Sequence, residues 1–449
     1  MQNNKYEIDM TNGPLFGKIL RMSVPLMLTG ILQLLYNAAD IIVVGKYAGE
    51  TSLAAVGSTT SLIHLIVNLF VGMSLGAGVV VAQYLGAKSE EKIHKAVHTA
   101  ILLSLFLGIG IGLLGFFGCH PLLLLMNTPE DVLSKAALYV KIYFLGLPGL
   151  MVYNFSTSIL RAAGDTRRPL YVLFGTGLIN VSLNLLFVIS LHMDVAGVAV
   201  ATITAQYCSA AIVLLLLIRS KSSCRVCISK LRIHKSILFQ MIRYGLPIGI
   251  QSSFFSLSNV LIQSSINTFG STVMAGNSAA SSIEGFVYTA CNAAPQTALT
   301  FTGQNVGAGK IKRVRKVLLY SCAVTCLFSL SLGGVVCLFR RELMSVYSSE
   351  PAVIAAGLIR LMIIVPTYSL CGLMDVFANV IRGMGYSLTP TVTTLFFVCV
   401  FRVIWIYTVF AQLHTADSIY YSYPISWLLA LFFHAVVYLI ILNKPKIVS

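Results

Sequence analysis

Twelve apolar runs, near residues 19–45, 53–83, 95–118, 136–161, 169–191, 195–219, 240–267, 278–306, 316–339, 355–382, 390–412 and 419–442, follow one another with short polar joints. Runs of this length match the hydrocarbon core of a bilayer, about 30 Å, which a helix of roughly 20 residues crosses. Inside lipid every backbone amide must be satisfied within the segment, so such a chain has to fold as helices. The expected fold class is all-α integral membrane, with twelve transmembrane helices. Composition agrees: 57% of residues are hydrophobic, 10% are charged and the mean hydropathy is +0.85. Soluble domains average about 45–50% apolar and about 25% charged. Residues 1–18 are polar and the first run is too long for a signal h-region, so no cleavable leader is expected.

Positive charge sets the expected orientation. Of the 31 lysines and arginines, 24 fall on the side of the two termini, from Lys5, Lys18 and Arg21 through the basic stretch 219–243 to Lys444 and Lys446. The exceptions are Lys46, Lys135, Lys141, Arg340, Arg341, Arg360 and Arg402. The positive-inside rule then places both termini in the cytoplasm of a multi-pass protein of the cell membrane. The net charge of +16 is mostly this topology signal. Because the charges are spread over separate loops, they form no nucleic-acid face, and no nucleic-acid partner is expected.

The chain repeats at an offset of about 221 residues. Arg21-Met-Ser-Val-Pro25 answers Arg243-Tyr-Gly-Leu-Pro247, Gln83-Tyr-Leu-Gly-Ala87 answers Gln304-Asn-Val-Gly-Ala308, and Arg161-Ala-Ala-Gly164 with Pro169 answers Arg382-Gly-Met-Gly385 with Pro390. Each copy holds six runs and starts on the same side, which gives two parallel-repeat six-helix lobes, a layout of secondary transporters. The expected division is 1–218 for the first lobe, 219–236 for a basic cytoplasmic linker joining the bundles loosely, and 237–449 for the second lobe. Pro25 and Pro247, each close to a basic residue, read as prolines of a first helical turn.

Against this apolar background Asp40 stands out. A carboxylate near the centre of a spanning helix costs roughly 2.5–3.5 kcal/mol even on the milder insertion scales, so it marks an ion or proton site. The fifth run carries Asn180 and Asn184 and the sixth carries Thr202 and Gln206, each pair spaced i, i+4 and hence on one helix face. With Tyr36, Asn37 and Asp40 they are expected to line one polar pocket in the first lobe, Asp40, Asn180, Asn184 and Thr202 at the coupling ion and Tyr36, Asn37 and Gln206 toward the substrate. The competing role for such amides is glue between helices, at about 0.6 kcal/mol each.

In the second half, Arg402 lies twelve residues beyond Pro390 and so about 18 Å along its helix, and Asp375 lies seven residues before Arg382, about 10 Å from the same surface. Long side chains bridge such a difference, so the expected pairing is Asp375 with Arg402. Glu284, about 30 Å up by the same measure, is the third charged candidate of this half.

Other chemistries are excluded by what they require. An intramembrane enzyme needs a nucleophile with its base, or a metal triad, at one depth, and neither is found, so no catalytic residue and no enzymatic activity are expected. There is no GxxxxGK[ST] phosphate loop for ATP-driven pumping. Cys224-x-x-Cys227 lacks a second pair at ligand spacing, so no metal and no cofactor are expected.

The two-times-six layout, the Val24-Pro25 start, the Asp40 segment ending in Val44-Gly45-Lys46-Tyr47-Ala48-Gly49, and the paired Gln-x-x-Gly-Ala and Arg-x-x-Gly turns together resemble the MATE family of multidrug and toxic compound extrusion transporters, over essentially the whole chain. That resemblance implies twelve helices in two lobes around a central cavity, alternating access, and efflux of organic, often cationic and amphipathic, compounds in exchange for protons or sodium ions. It also implies that Asp40 matches the acidic coupling residue of the first helix in prokaryotic branches, helped by positions matching Asn180, Asn184 and Thr202. In several relatives the position of Asn184 is acidic, whereas here it is an amide. The expected partners are small organic substrates and membrane lipid, and the expected state is a monomer. The alternative is a flippase for a lipid-linked saccharide precursor in the same wider superfamily, which would place several cations in the first-half cavity.

Overall fold

The computed structural model describes residues 6–126, 128–442 and 444; Lys5, Lys446 and Asn127 lie outside them. The described residues form helices and no strands. In order these are α1 (Phe16–Tyr47), α2 (Glu50–Gly86), α3 (Glu90–Leu125), α4 (Glu130–Leu145), α5 (Leu147–Ala162), α6 (Arg167–Ser190), α7 (Asp194–Ile218), α8 (Lys235–Asn267), α9 (Ser271–Gly307), α10 (Ile311–Leu338), the short α11 (Arg340–Ser345), α12 (Pro351–Gly383), α13 (Leu388–Leu413) and α14 (Ala416–Ile441). Ten of them are long and apolar enough to cross a membrane, and α4 with α5, bent by 45°, makes an eleventh span. Helix α9 takes the place of α2 in the second copy, with the same length of 37 residues, but it is less apolar than these spans and buries the polar Asn277 and Glu284. Outward faces carry bare apolar side chains such as Phe117, 76% exposed, as lipid-facing surfaces do.

The repeat is written into the backbone. Left-handed conformations recur at the same offset: Gly49 with Gly270, Lys88 with Gly309, and Gly164 with Gly385. Gly164 is obligatory twice over, since at φ 90° any side chain is strained and a Cβ there would lie 2.7 Å from the Ile8 backbone. A π-helical stretch at Leu185–Ser190 in α6 recurs at Ile406–Phe410 in α13. Helices α1 and α8 begin at Phe16 and Lys235, so Pro25 and Pro247 are interior prolines and not first-turn ones. Each removes a hydrogen bond to the carbonyl four residues back.

The chain packs as two units. One contains the residues up to Ile8 with Leu32–Gly249, and the other contains Asp9–Ile31 with the residues from Ile250 onward. Their boundaries therefore run through α1 and α8. In the first unit, Gly72 and Gly76 of α2 meet Gly249 and Gly245 of α8 so closely that a Cβ at either α2 position would sit 2.2–2.3 Å from backbone nitrogen. Paired Gly-x-x-x-Gly faces of this kind let membrane helices touch backbone to backbone. The corresponding contact in the second unit uses hydroxyls, with Ser23 of α1 donating to Thr297 of α9 at 3.0 Å. The basic stretch is docked and not loose: Cys224 and Val226 are buried, and the Val226 amide donates to the Leu217 carbonyl at 3.2 Å.

Each unit has its own core. Val140, Phe144 and Leu147 of α4 and α5 pack with Val44 and Val198 in the first, and Ile283, Ile364, Tyr420 and Trp427 anchor the second.

Candidate functional site

In the first unit α1 carries Asp40, half-buried, opposite α6, whose Asn180 and Asn184 are buried one turn apart. The Asn184 side-chain amide donates to Asp40 Oδ1, and the same nitrogen lies 3.4 Å from Asn180 Oδ1. Helix geometry changes at this point, because the π-helical stretch of α6 starts at Leu185. Such stretches rotate the side chains beyond them and often mark functional positions. Asn184 Oδ1 is buried and accepts no hydrogen bond, which leaves a free carbonyl-type oxygen beside the carboxylate. No lysine or arginine forms an ion pair with Asp40 among the described residues. The arrangement is a carboxylate with amide oxygens, a set suited to a proton or a hard cation.

The remaining first-lobe candidates lie around this centre with different partners. The Tyr36 hydroxyl donates to the Phe174 carbonyl at 3.2 Å, and the hydroxyl end of its ring packs against Gly177, where a Cβ would come within 1.8 Å of it. Asn37 is exposed. Thr202 donates to the Val198 carbonyl of its own helix at 2.9 Å and makes no hydrogen bond to Asp40. Gln206 neighbours Tyr143 of α4, and Tyr143 and Tyr139, one turn apart, both feel the Asp40 charge. These two tyrosines are additions to the sequence candidates. Their i, i+4 spacing is the signal that could have found them.

The second unit corrects the expected pairing. Asp375 and Arg402 form no ion pair; the cation acting on Asp375 is Arg382, on the same helix. Arg402, fully buried, donates from Nε to Ser426 Oγ at 2.9 Å and stacks over the Tyr423 ring at 4.0 Å. Its two terminal nitrogens have no hydrogen-bond partner. Rise along the helix gives height but not direction. A π-helical stretch at Leu395–Val400, just before Arg402, shifts the register, and one extra residue turns the helix beyond it by about 100°.

Glu284 pairs instead with Arg360 of α12, Nε to Oε1 at 2.9 Å and Nη2 to Oε2 at 2.8 Å. The third donor of Arg360 reaches Asn277 Oδ1 at 2.7 Å, Tyr420 donates to the same oxygen at 3.2 Å, and the guanidinium lies over the Tyr420 and Tyr423 rings. Sequence reasoning missed Arg360 and Asn277, yet Arg360 stands one repeat, about 221 residues, after Tyr139.

The MatE family model matches residues 25–186 and again 247–408. "Probable multidrug resistance protein YoeA" of Bacillus subtilis is 26% identical over 83% of this chain and 82% of its own. "Probable multidrug resistance protein NorM" of Thermotoga maritima is 22% identical over 84% and 82%, and an "FAD transporter" of Shewanella oneidensis is 23% identical over 86% of both. Among solved structures, the outward-facing conformation of a multidrug resistance MATE family transporter of the MOP superfamily superposes with a TM-score of 0.92 at 21% identity, covering 99% of this chain and 100% of that one. A MOP superfamily transporter from Pyrococcus furiosus gives the same values. With both matched segments falling on the two six-helix repeats, this chain belongs to the MATE family of membrane transporters.

Proposed function

We propose that the protein is a secondary antiporter that exports organic, cationic and amphipathic compounds in exchange for protons or sodium ions, by alternating access of its two six-helix lobes. The observation that carries this reading is the Asp40 carboxylate, held by the Asn184 amide with no cation paired to it. A group kept that way is free to take a proton or an ion from one side and release it on the other. A bound proton would let Asp40 donate to the open Asn184 oxygen, and a sodium ion would use the same oxygens as ligands. Relatives called multidrug resistance proteins support the substrate class. The flippase alternative would need cations gathered with Asp40 to hold an anionic headgroup, and the first unit offers no such pairing among the described residues.

The test is gradient-driven efflux of a fluorescent monovalent organic cation from proteoliposomes. Asp40→Asn keeps shape and hydrogen bonds but removes the ionisable group, so it should abolish coupled efflux while the protein stays folded in the membrane. With one proton per monovalent cation no net charge moves, and only the proton gradient drives export, at about 1.4 kcal/mol per tenfold difference. Efflux by the variant at the wild-type rate would sink the assignment. Orientation is tested separately: a reporter after Lys235 should read cytoplasmic and one inserted at residues 127–135 external, as the charge asymmetry requires.

A further inference from the structure

The first unit contains a second cluster of coordinating side chains that the transport reading does not use. At the start of α3, His94 and His98 sit one turn apart with ring centroids 4.0 Å from each other. Cys227 of the docked basic stretch reaches the same place, and ligand atoms of the three residues lie within 4.8 Å of one another. His94 and Cys227 are partly exposed, so an ion from solvent has access. His98 Nδ1 lies 2.6 Å from the His94 carbonyl oxygen and must carry the proton it donates there. In a neutral imidazole that leaves Nε2 with its lone pair, which accepts the Cys227 amide N–H at 2.9 Å. The Cys227 carbonyl 3.1 Å from Nε2 cannot then receive a proton from it. A histidine whose other ring nitrogen is tied to a backbone carbonyl is already oriented as a metal ligand, because that bond fixes both tautomer and ring direction.

We propose that His94, His98 and Cys227 bind one transition-metal ion of the zinc class, which ties the 219–235 stretch to α3. Two imidazoles and a thiolate match the nitrogen and sulfur preference of zinc and leave a fourth, tetrahedral position for water. On binding, the thiol gives its proton to solvent and the Cys227 N–H bond to His98 is exchanged for the metal bond. Selection of the metal rests on the nitrogen and sulfur ligands, which favour zinc-class ions over hard cations. Cys224, three residues earlier, is buried and outside the cluster. A sequence search for CxxC sites therefore looks at the wrong pair.

The full chain, purified in detergent and stripped by a chelator, is titrated with Co²⁺ and then with Zn²⁺. One equivalent of Co²⁺ should give a thiolate-to-cobalt charge-transfer band that Zn²⁺ abolishes. Cys227→Ser should lose the band, and His94→Ala, which removes a ring holding no hydrogen bond, should weaken affinity by at least about tenfold, the loss expected even for an outer partner. Cys224→Ser should bind as the parent does. In a second measurement, Zn²⁺ should slow tryptic cleavage after the exposed Arg225 and Lys230 in the parent and not in Cys227→Ser. No cobalt–thiolate band in the parent, or equal affinity in parent, Cys227→Ser and His94→Ala, would overturn the proposal.

Discussion

On the bent fourth span of the first unit, Tyr139 sits in the field of an unpaired carboxylate, Asp40. On the matching span of the second unit, Arg360 at the same repeat position closes a two-pronged pair on Glu284. The scaffold around them is shared: left-handed turns and one π-helical stretch recur about 221 residues apart, and α2 and α9 are equal in length. The difference lies in how completely each charge is answered. The Glu284–Arg360 pair is also held by Asn277, Tyr420 and two aromatic faces, and a charge satisfied that fully is fixed. Asp40 has one amide donor and an open oxygen beside it, so its state can change. A duplicated six-helix fold can thus keep one copy responsive and make the other rigid with a few side chains at matched positions.

The largest expected effect breaks the rigid copy. Arg360→Ala strands Glu284 in the protein interior and should destabilise the second unit by about 3–5 kcal/mol, read as loss of folded protein in thermal or denaturant unfolding in detergent. The double change Glu284→Leu with Arg360→Met should recover much of that loss. Arg402→Met is the contrasting case: it removes two unsatisfied buried nitrogens along with the stacking on Tyr423, worth about 2 kcal/mol, and should cost far less than Arg360→Ala. Equal losses for Arg360→Ala and Arg402→Met would mean that the pair gives no special rigidity.

A middle-sized effect sharpens the responsive copy. Asn184→Asp places a second carboxylate against Asp40, and two neighbouring carboxylates resist joint ionisation. The pH profile of efflux should move to higher pH by about one unit or more. An unmoved profile would mean that the contact between these side chains does not control coupling.

The smallest effect checks that pH dependence belongs to the first unit. Asp9, before α1 and packed with the second unit, would be pushed up by its burial, but hydrogen bonds from Asn12 and Thr11 and the Lys18 ammonium outweigh this and hold its carboxyl at about 2, below the ordinary 3.8. A depressed carboxylate stabilises fully above pH 3.8 and loses that contribution only as pH falls through 2. This amino-terminal clasp, whose backbone also binds Lys310 and Arg313, should therefore not change between about pH 5 and 8. Asp9→Asn should alter stability by about 1 kcal/mol or less and leave the shape of the pH profile unchanged.

Much of this was legible in the residues. The membrane-spanning helical class follows from apolar length, and the repeat from three motif pairs in one register. The meeting of Asp40 with Asn184 was foreshadowed by the cost of a buried carboxylate and the i, i+4 spacing of the asparagines. The Asp375–Arg402 pairing fails because height along a helix is a one-dimensional quantity, while π-helical stretches set which way Arg402 points. The nearness of Arg21 and Arg243 suggests first-turn prolines, but the helices begin at Phe16 and Lys235, well over one turn before Pro25 and Pro247.

The sequence by itself determined the all-helical membrane fold class, the duplication and the presence of an expensive carboxylate, because these depend on local composition and on spacing along the chain. Only the tertiary structure decided which charges meet. Glu284 finds Arg360, 76 residues away, and Cys227 finds His98, 129 residues away. Those contacts depend on the rotation of packed helices about their axes and on the docking of a connecting stretch, and no periodicity in the chain encodes either.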